Sequence, residues 1–186
     1  MRRIPGEPLN KAWRMLSIGE REKIAQQTSS YVQQLCDLQS DKIESLGGGT
    51  VYSNFLFNNK TFQQLHGPLL SNDHLWNDMK AGLTQVPEAV QVRLRHSMPP
   101  AALYTFTHGD LTNVNIIVQN KNLAGIIDWE ATGFFPVWWE YVRTLIADDD
   151  GDDMEWKALL HKYIPGYDSA RGFWLDYYHV RQDPNC

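Results

Sequence analysis

From Ser17 onward, Ile24, Ala25, Thr28, Tyr31, Val32, Leu35 and Leu38 recur at spacings of three and four, which places them on one face of a helix. Gln26, Gln27, Gln33 and Gln34 fall on the opposite, wet side. Ser17-Ile18-Gly19-Glu20 opens this core helix as a capping box, in which each of Ser17 and Glu20 satisfies the other's backbone N–H. The helix is expected to end between Leu38 and Leu46. Ser71-Asn72-Asp73 caps a second helix through Leu75, Trp76 and Met79 to about Gly82. Pro87 to His96 predicts a third, with Pro87 in its first turn, where a missing N–H costs nothing. Met154 to Tyr163 and Ser169 to Val180 predict two closing helices, split by Ile164-Pro165-Gly166. Residues 4–16 predict a turn and a short helix, and Val51 to Phe62 is mixed, mostly loop with a little strand.

Between Pro99-Pro100 and Glu130 the pattern changes. An apolar run, Leu103 to Thr107, leads into His108-Gly109-Asp110. The β-branched run Ile116-Ile117-Val118 meets a polar turn, Gln119 to Asn122, and a second apolar run, Leu123 to Ile127, ends on Asp128. Two short strands joined by a tight Asn-Lys-Asn turn predict a hairpin. Asn115 and Asp128 stand at its two ends, so their side chains converge, and the preceding loop brings Asp110 beside them. The expected fold class is therefore α+β, predominantly helical around a small central β-hairpin. At 186 residues and 42% hydrophobic, the chain supports one core and one domain over 1–186.

Charge and composition narrow the function. A net charge of −5 argues against non-specific nucleic-acid binding, which calls for clustered Lys and Arg. The two cysteines, Cys36 on an apolar helix face and Cys186 at the last position, suggest neither a metal site nor a disulfide framework. The basic pair in MRRIPGEPLN has no apolar run behind it, so no signal peptide is read. No stretch approaches the ~20 apolar residues of a membrane span. The expectation is a soluble, cytoplasmic protein.

The chemistry that suits Asp110, Asn115 and Asp128 is phosphoryl transfer. It needs a carboxylate to orient and deprotonate an attacking hydroxyl, and an Asp-plus-Asn oxygen set for Mg²⁺ on the nucleotide phosphates. The pattern H-G-D-L-x-x-x-N, followed 13 residues after Asn115 by I-I-D-W-E around Asp128, resembles the aminoglycoside phosphotransferase and choline kinase family. I-P-G-x-x-L-x-x-x-W from Ile4 to Trp13 and the W-E-Y of Trp139-Glu140-Tyr141 add to it, so the resemblance covers roughly residues 4–180. It implies a protein-kinase-like large lobe using ATP and Mg²⁺ on a small-molecule substrate. Asp110 would be the catalytic base, Asn115 and Asp128 the metal and cofactor ligands, and His108 a catalytic-loop residue that packs and hydrogen-bonds. The Trp138 to Arg143 helix would buttress the loop, with Glu140 and Arg143 placed to pair at i, i+3.

The family's small lobe supplies a glycine-rich hairpin over the phosphates and a strand lysine. Neither is found in this sequence, so the N-terminal nucleotide-clamping lobe is expected to be missing. The face it would cover should be apolar, to be closed by a homodimer, a separate partner or a rearranged helix. Two alternatives follow: nucleotide-independent acid–base chemistry (cyclisation, dehydration or isomerisation) by Asp110 and Asp128 with His108, or a non-catalytic pseudokinase that binds a partner. Gly47-Gly48-Gly49-Thr50 lacks the Gly-Lys-Ser/Thr ending of a phosphate loop and reads as a turn. Asp148 to Asp153, around Gly151, fails the EF-hand template and reads as a solvated acidic loop, one that would suit a basic substrate. The tail QDPNC reads as frayed.

Overall fold

The computed structural model describes residues 3–57, 65–146 and 151–183. Eight helices and six strands are present among them. The chain enters through β1 (Glu7–Pro8), α1 (Leu9–Ala12) and a 3-10 turn at Trp13–Met15. The capping box forms: the Ser17 hydroxyl accepts from Glu20 N–H and the Glu20 carboxylate from Ser17 N–H, opening α2 (Ile18–Cys36). The helix stops short of Leu38. Its buried face is Ile24, Ala25, Thr28, Ser29 and Val32, while Tyr31 and Leu38 are about half exposed, at 53% and 51%. Gln27, expected on the wet side, instead accepts from Leu123 N–H at 2.9 Å and donates to Asn122 Oδ1 at 3.3 Å. Helix α2 thus packs Ile24, Ala25, Thr28, Ser29 and Val32 on the core and bonds to Asn122 and Leu123 through Gln27.

After β2 (Gln39–Ser40), Gly47–Thr50 forms a turn closed by Ser45, with Gly48 at φ +77°, as expected. The Val51–Phe62 stretch holds one bridge, Val51 with His66, and a single helical turn, α3 (Asn54–Phe57), and residues 58–62 lie outside the described residues. Helix α4 (Asn72–Lys80) is capped by the Ser71 hydroxyl, and α5 (Glu88–Ser97) starts directly after Pro87.

Strand β3 (Tyr104–Thr107) then leads to the hairpin of β4 (Ile116–Gln119) and β5 (Asn122–Ile126). Gln119 faces Asn122, so the turn is the two residues Asn120 and Lys121, both at positive φ (50° and 62°). That geometry matches strand twist in two-residue hairpins. Strand β1 joins as the third strand of this sheet, in the order β1-β4-β5. A second sheet, β2-β3-β6, uses β6 (Gly133–Pro136), a segment that reads as a turn in sequence but pairs with β3 from Thr107↔Gly133 to Tyr104↔Pro136. Tertiary pairing overrides the turn chemistry of Gly133 and Pro136.

Helices α6 (Trp139–Arg143), α7 (Gly151–Leu160) and α8 (Asp168–Gln182) close the chain. Trp138, Trp139, Phe173, Trp174 and Tyr177 are all buried among them, with edge-on contacts such as Trp139–Trp174 at 5.0 Å between ring centroids. Such pairs add about 0.5–1.5 kcal/mol each beyond the area they bury. The expected acidic loop is corrected in its second half. Gly151–Asp153 is the first turn of α7, and Asp153 is buried against Lys157 at 2.7 Å. Asp148–Asp150, Cys186 and most of the QDPNC tail lie outside the described residues. None of the described helices is long and apolar enough to cross a membrane.

Candidate active site

The loop from His108 to Asn115 joins β3 to β4, and several polar groups of its backbone are met by side chains from elsewhere in the fold. Glu140, from α6, accepts from His108 N–H at 2.7 Å and from Gly109 N–H at 3.2 Å. His108 Nδ1 accepts from Asp110 N–H at 3.2 Å, and its Nε2 donates to the Ile127 carbonyl at 3.0 Å. Asp153 accepts from Asn113 N–H at 2.8 Å, and Trp156 donates to the Leu111 carbonyl at 2.8 Å. A buried loop is stable only when such groups are paired. Gly109 sits at φ +81°, and a Cβ there would lie 3.0 Å from the Ala131 carbonyl oxygen. Only glycine allows both.

His108 is fully buried and both ring nitrogens are engaged. Burial lowers its pKa, which agrees with a neutral ring protonated on Nε2. The ring also meets Trp129 edge-on at 4.6 Å. His108 therefore braces the loop, and its ring is not open to a substrate. Glu140 is buried too, and desolvation lifts its carboxyl to about 7 against the pull of the His108 and Gly109 amides and of Arg143.

Asp110 is the loop's outward carboxylate, with its side chain 31% exposed. Its Oδ1 accepts from Arg143 Nη2 at 3.0 Å and its Oδ2 from Asn115 Nδ2 at 2.9 Å. Asn115 Nδ2 also donates to the Asp110 carbonyl, which turns Asn115 Oδ1 away from that carboxylate. The Asn115 carbonyl accepts from Ile127 N–H at 2.9 Å, tying the start of β4 to the residue before Asp128. Asp128 takes the left-handed conformation, φ 64° and ψ 66°, and is exposed. Non-glycine residues pay for that region, and such strain gathers at functional sites. Asp110 and Asn115 are thus joined side chain to side chain, and Asp128 directly follows the residue whose N–H meets the Asn115 carbonyl.

The pairing expected between Glu140 and Arg143 is not among the ion pairs of the described residues. Each reaches the loop instead, Glu140 its backbone and Arg143 its aspartate. The signal that could have shown this is composition: Glu140 inside the otherwise apolar run Trp138–Val142, and Arg143 directly after it, need buried partners.

A Mg²⁺ ion asks for hard oxygen donors and keeps several waters or phosphate oxygens of its own. Asn115 Oδ1 and the Asp128 carboxylate take no hydrogen bond from the described residues, and both are oxygen donors. No group of three or more His, Cys, Asp or Glu side chains among the described residues could hold a metal by itself. The donor set therefore fits an ion shared with a phosphate ligand and not a protein-only cage.

The model of the phosphotransferase enzyme family matches residues 1–173. The chain belongs to that family. The structure is similar to that of the aminoglycoside phosphotransferase APH(2'')-IIa in a ternary complex with streptomycin and ATP, with a TM-score of 0.56 and 14% identity, over 98% of this chain and 64% of that one. ADP-bound APH(2'')-Ib gives 0.54 and 12%, over 100% and 64%. The macrolide 2'-phosphotransferase MphH from Brachybacterium faecium gives 0.50 and 12%, over 96% and 59%. Identities this low establish a shared kinase-like phosphotransferase fold. The chain spans less than two thirds of the length of these structures. No curated protein sequence matches it.

Proposed function

We propose that this chain is the large lobe of an ATP- and Mg²⁺-dependent phosphotransferase that acts on a hydroxyl of a small molecule. The supporting observation is the network Arg143–Asp110–Asn115 beside the exposed Asp128, within a chain of the phosphotransferase enzyme family. In this reading Asp110 orients the acceptor hydroxyl and takes its proton on the carboxylate, and Asn115 and Asp128 hold the metal. A bound Mg²⁺ would offset the negative charge of the nucleotide phosphates. The β4–β5 hairpin carries the metal ligands at its two ends, and the loop before it carries the base.

Nucleotide-free acid–base chemistry would need Asp110 and Asp128 to act on each other as close carboxylates. No hydrogen bond joins those two carboxylates among the described residues, and His108 is sealed in, so we favour the phosphotransferase reading. We further propose that the catalytic unit includes a small lobe, in the same chain or another. All described lysines lie in helices, turns or loops, so none is a strand lysine placed to clamp phosphates. Beside the hairpin, a groove of about 330 Å³ is lined by Tyr31, Leu35, Leu123, Gly125, Ile126 and Trp129, an apolar face suited to such a lobe.

Mn²⁺ in place of Mg²⁺ gives a direct test by water-proton relaxation. An ATP-dependent enhancement lost in both Asn115→Ala and Asp128→Ala is expected. Equal enhancement in those variants and the wild type would remove the metal assignment.

A further inference from the structure

Arg143 lies at the end of α6 and is 5% exposed. Its guanidinium is fixed from three directions. Nη2 donates to Asp110 Oδ1 at 3.0 Å, and Nη1 donates to the Ile146 carbonyl at 3.1 Å. The third contact is the ring of Phe55, whose centroid lies 3.8 Å from the guanidinium carbon. Phe55 is itself tied down, because its carbonyl accepts from Arg181 Nη1 at 3.0 Å. A planar fork with a stacking face can make these contacts together, and an ammonium cannot.

We propose that Arg143 is a positioning residue that links the orientation of Asp110 to the Phe55 segment. The inference rests on the reading of Asp110 as the base. Arg143 commits Oδ1 and Asn115 commits the other oxygen from the opposite side, so the carboxylate plane is set by two donors from different elements. Phe55 backs the guanidinium and belongs to α3, which is remote in sequence from both the loop and α6. A ligand that moves Phe55 would release Arg143 and let the Asp110 carboxylate rotate. The base is in this way held ready only while the α3 segment is seated. A purely structural role for the ion pair would be weak by comparison, since buried pairs add little net stability once desolvation is counted.

The test uses Arg143→Ala, Arg143→Lys and Phe55→Leu in the full chain. In MgATP-dependent turnover, to an acceptor or to water, Arg143→Ala should lose roughly 100-fold in kcat, the scale of a misplaced catalytic group, with KM for MgATP unchanged. Arg143→Lys, which keeps the charge and loses the fork, should fall nearly as far, and Phe55→Leu by less. Added guanidinium ion should partly restore Arg143→Ala. Turnover at the wild-type rate in Arg143→Lys, or a loss in which KM rises with no rescue by guanidinium, would overturn the proposal. If the wild type itself shows no MgATP binding or turnover, the failure lies with the phosphotransferase reading. The link is then read from mass-spectrometric carbodiimide labelling, in which Asp110 should react faster in Arg143→Lys and Phe55→Leu than in the wild type. Equal rates in all three would refute it.

Discussion

The two flanks of the β4–β5 hairpin are finished to different degrees. On one flank, the His108–Asn115 loop is locked by side chains from α6 and α7, and Ile116, Ile117 and Val118 of β4 are buried. On the other, β5 and the second half of α2 border an open groove, with Tyr31 53% and Trp129 39% exposed. The first flank meets several of its backbone N–H and carbonyl groups with side chains of this chain. The second leaves apolar area in water, about 25 cal/mol per Å² that a partner surface could recover. In the reading proposed above, the half of the site that handles the acceptor proton is self-supporting, and the half that grips nucleotide is completed by contact.

The contrast can be broken at several points. Asp110→Asn should lower any MgATP-dependent transfer by roughly 10²–10⁴-fold, the range of a lost general base, with MgATP affinity retained. A parallel loss of MgATP affinity in a titration would show that Asp110 serves binding. On the locked flank, Asp153→Ala leaves the buried Lys157 ammonium with the Ile146 carbonyl and no counter-charge and frees Asn113 N–H, so unfolding free energy should fall by about 3–5 kcal/mol in urea denaturation. A change below ~1 kcal/mol would mean that α7 does not hold the loop.

Glu140→Gln sets an amide nitrogen against backbone N–H groups and should cost about 1–3 kcal/mol near pH 6. The cost depends on pH. Burial lifts Glu140 from 4.5 to about 7, so the folded chain holds a proton there that the unfolded chain has released. That contribution to stability is complete below about 4.5 and is lost as pH rises through about 7. The melting-temperature gap between wild type and Glu140→Gln should therefore narrow from pH 5 to pH 8, and a widening gap would contradict the assignment. The smallest effect belongs to the open flank. Tyr31→Ser, at an exposed groove position, should change stability by less than about 0.5 kcal/mol, and a larger loss would mean that the groove is packed within this chain.

How far sequence carried depended on the range of the interactions. The capping box at Ser17, the Ser71 cap and the Asn120-Lys121 hairpin turn are local, and their residues announce them. Asp110 and Asn115 were legible as neighbours because the motif spacing fixes their register, and their side chains are hydrogen-bonded. Strand β6 was hidden because Gly133 and Pro136 favour a turn, and only pairing with β3 overrules them. Glu140 and Arg143 followed the helical i, i+3 rule on paper, but their partners lie about 30 residues back in the chain, at His108 and Asp110. Asp153 looked solvated among other aspartates until α7 placed it against Lys157. Tyr31 kept helical period without meeting the core, because period reports a face and not what covers it, and Leu38 falls beyond the end of α2.

The central claim is that Asp128 and its neighbours bind a metal-bound nucleotide, and calorimetric titration with ATP, with and without Mg²⁺, tests it most directly. The account predicts Mg²⁺-dependent binding in the wild type that is lost in Asp128→Ala. Binding that is indifferent to Mg²⁺ or to Asp128, or no binding at millimolar ATP even when a small lobe is supplied, would contradict it.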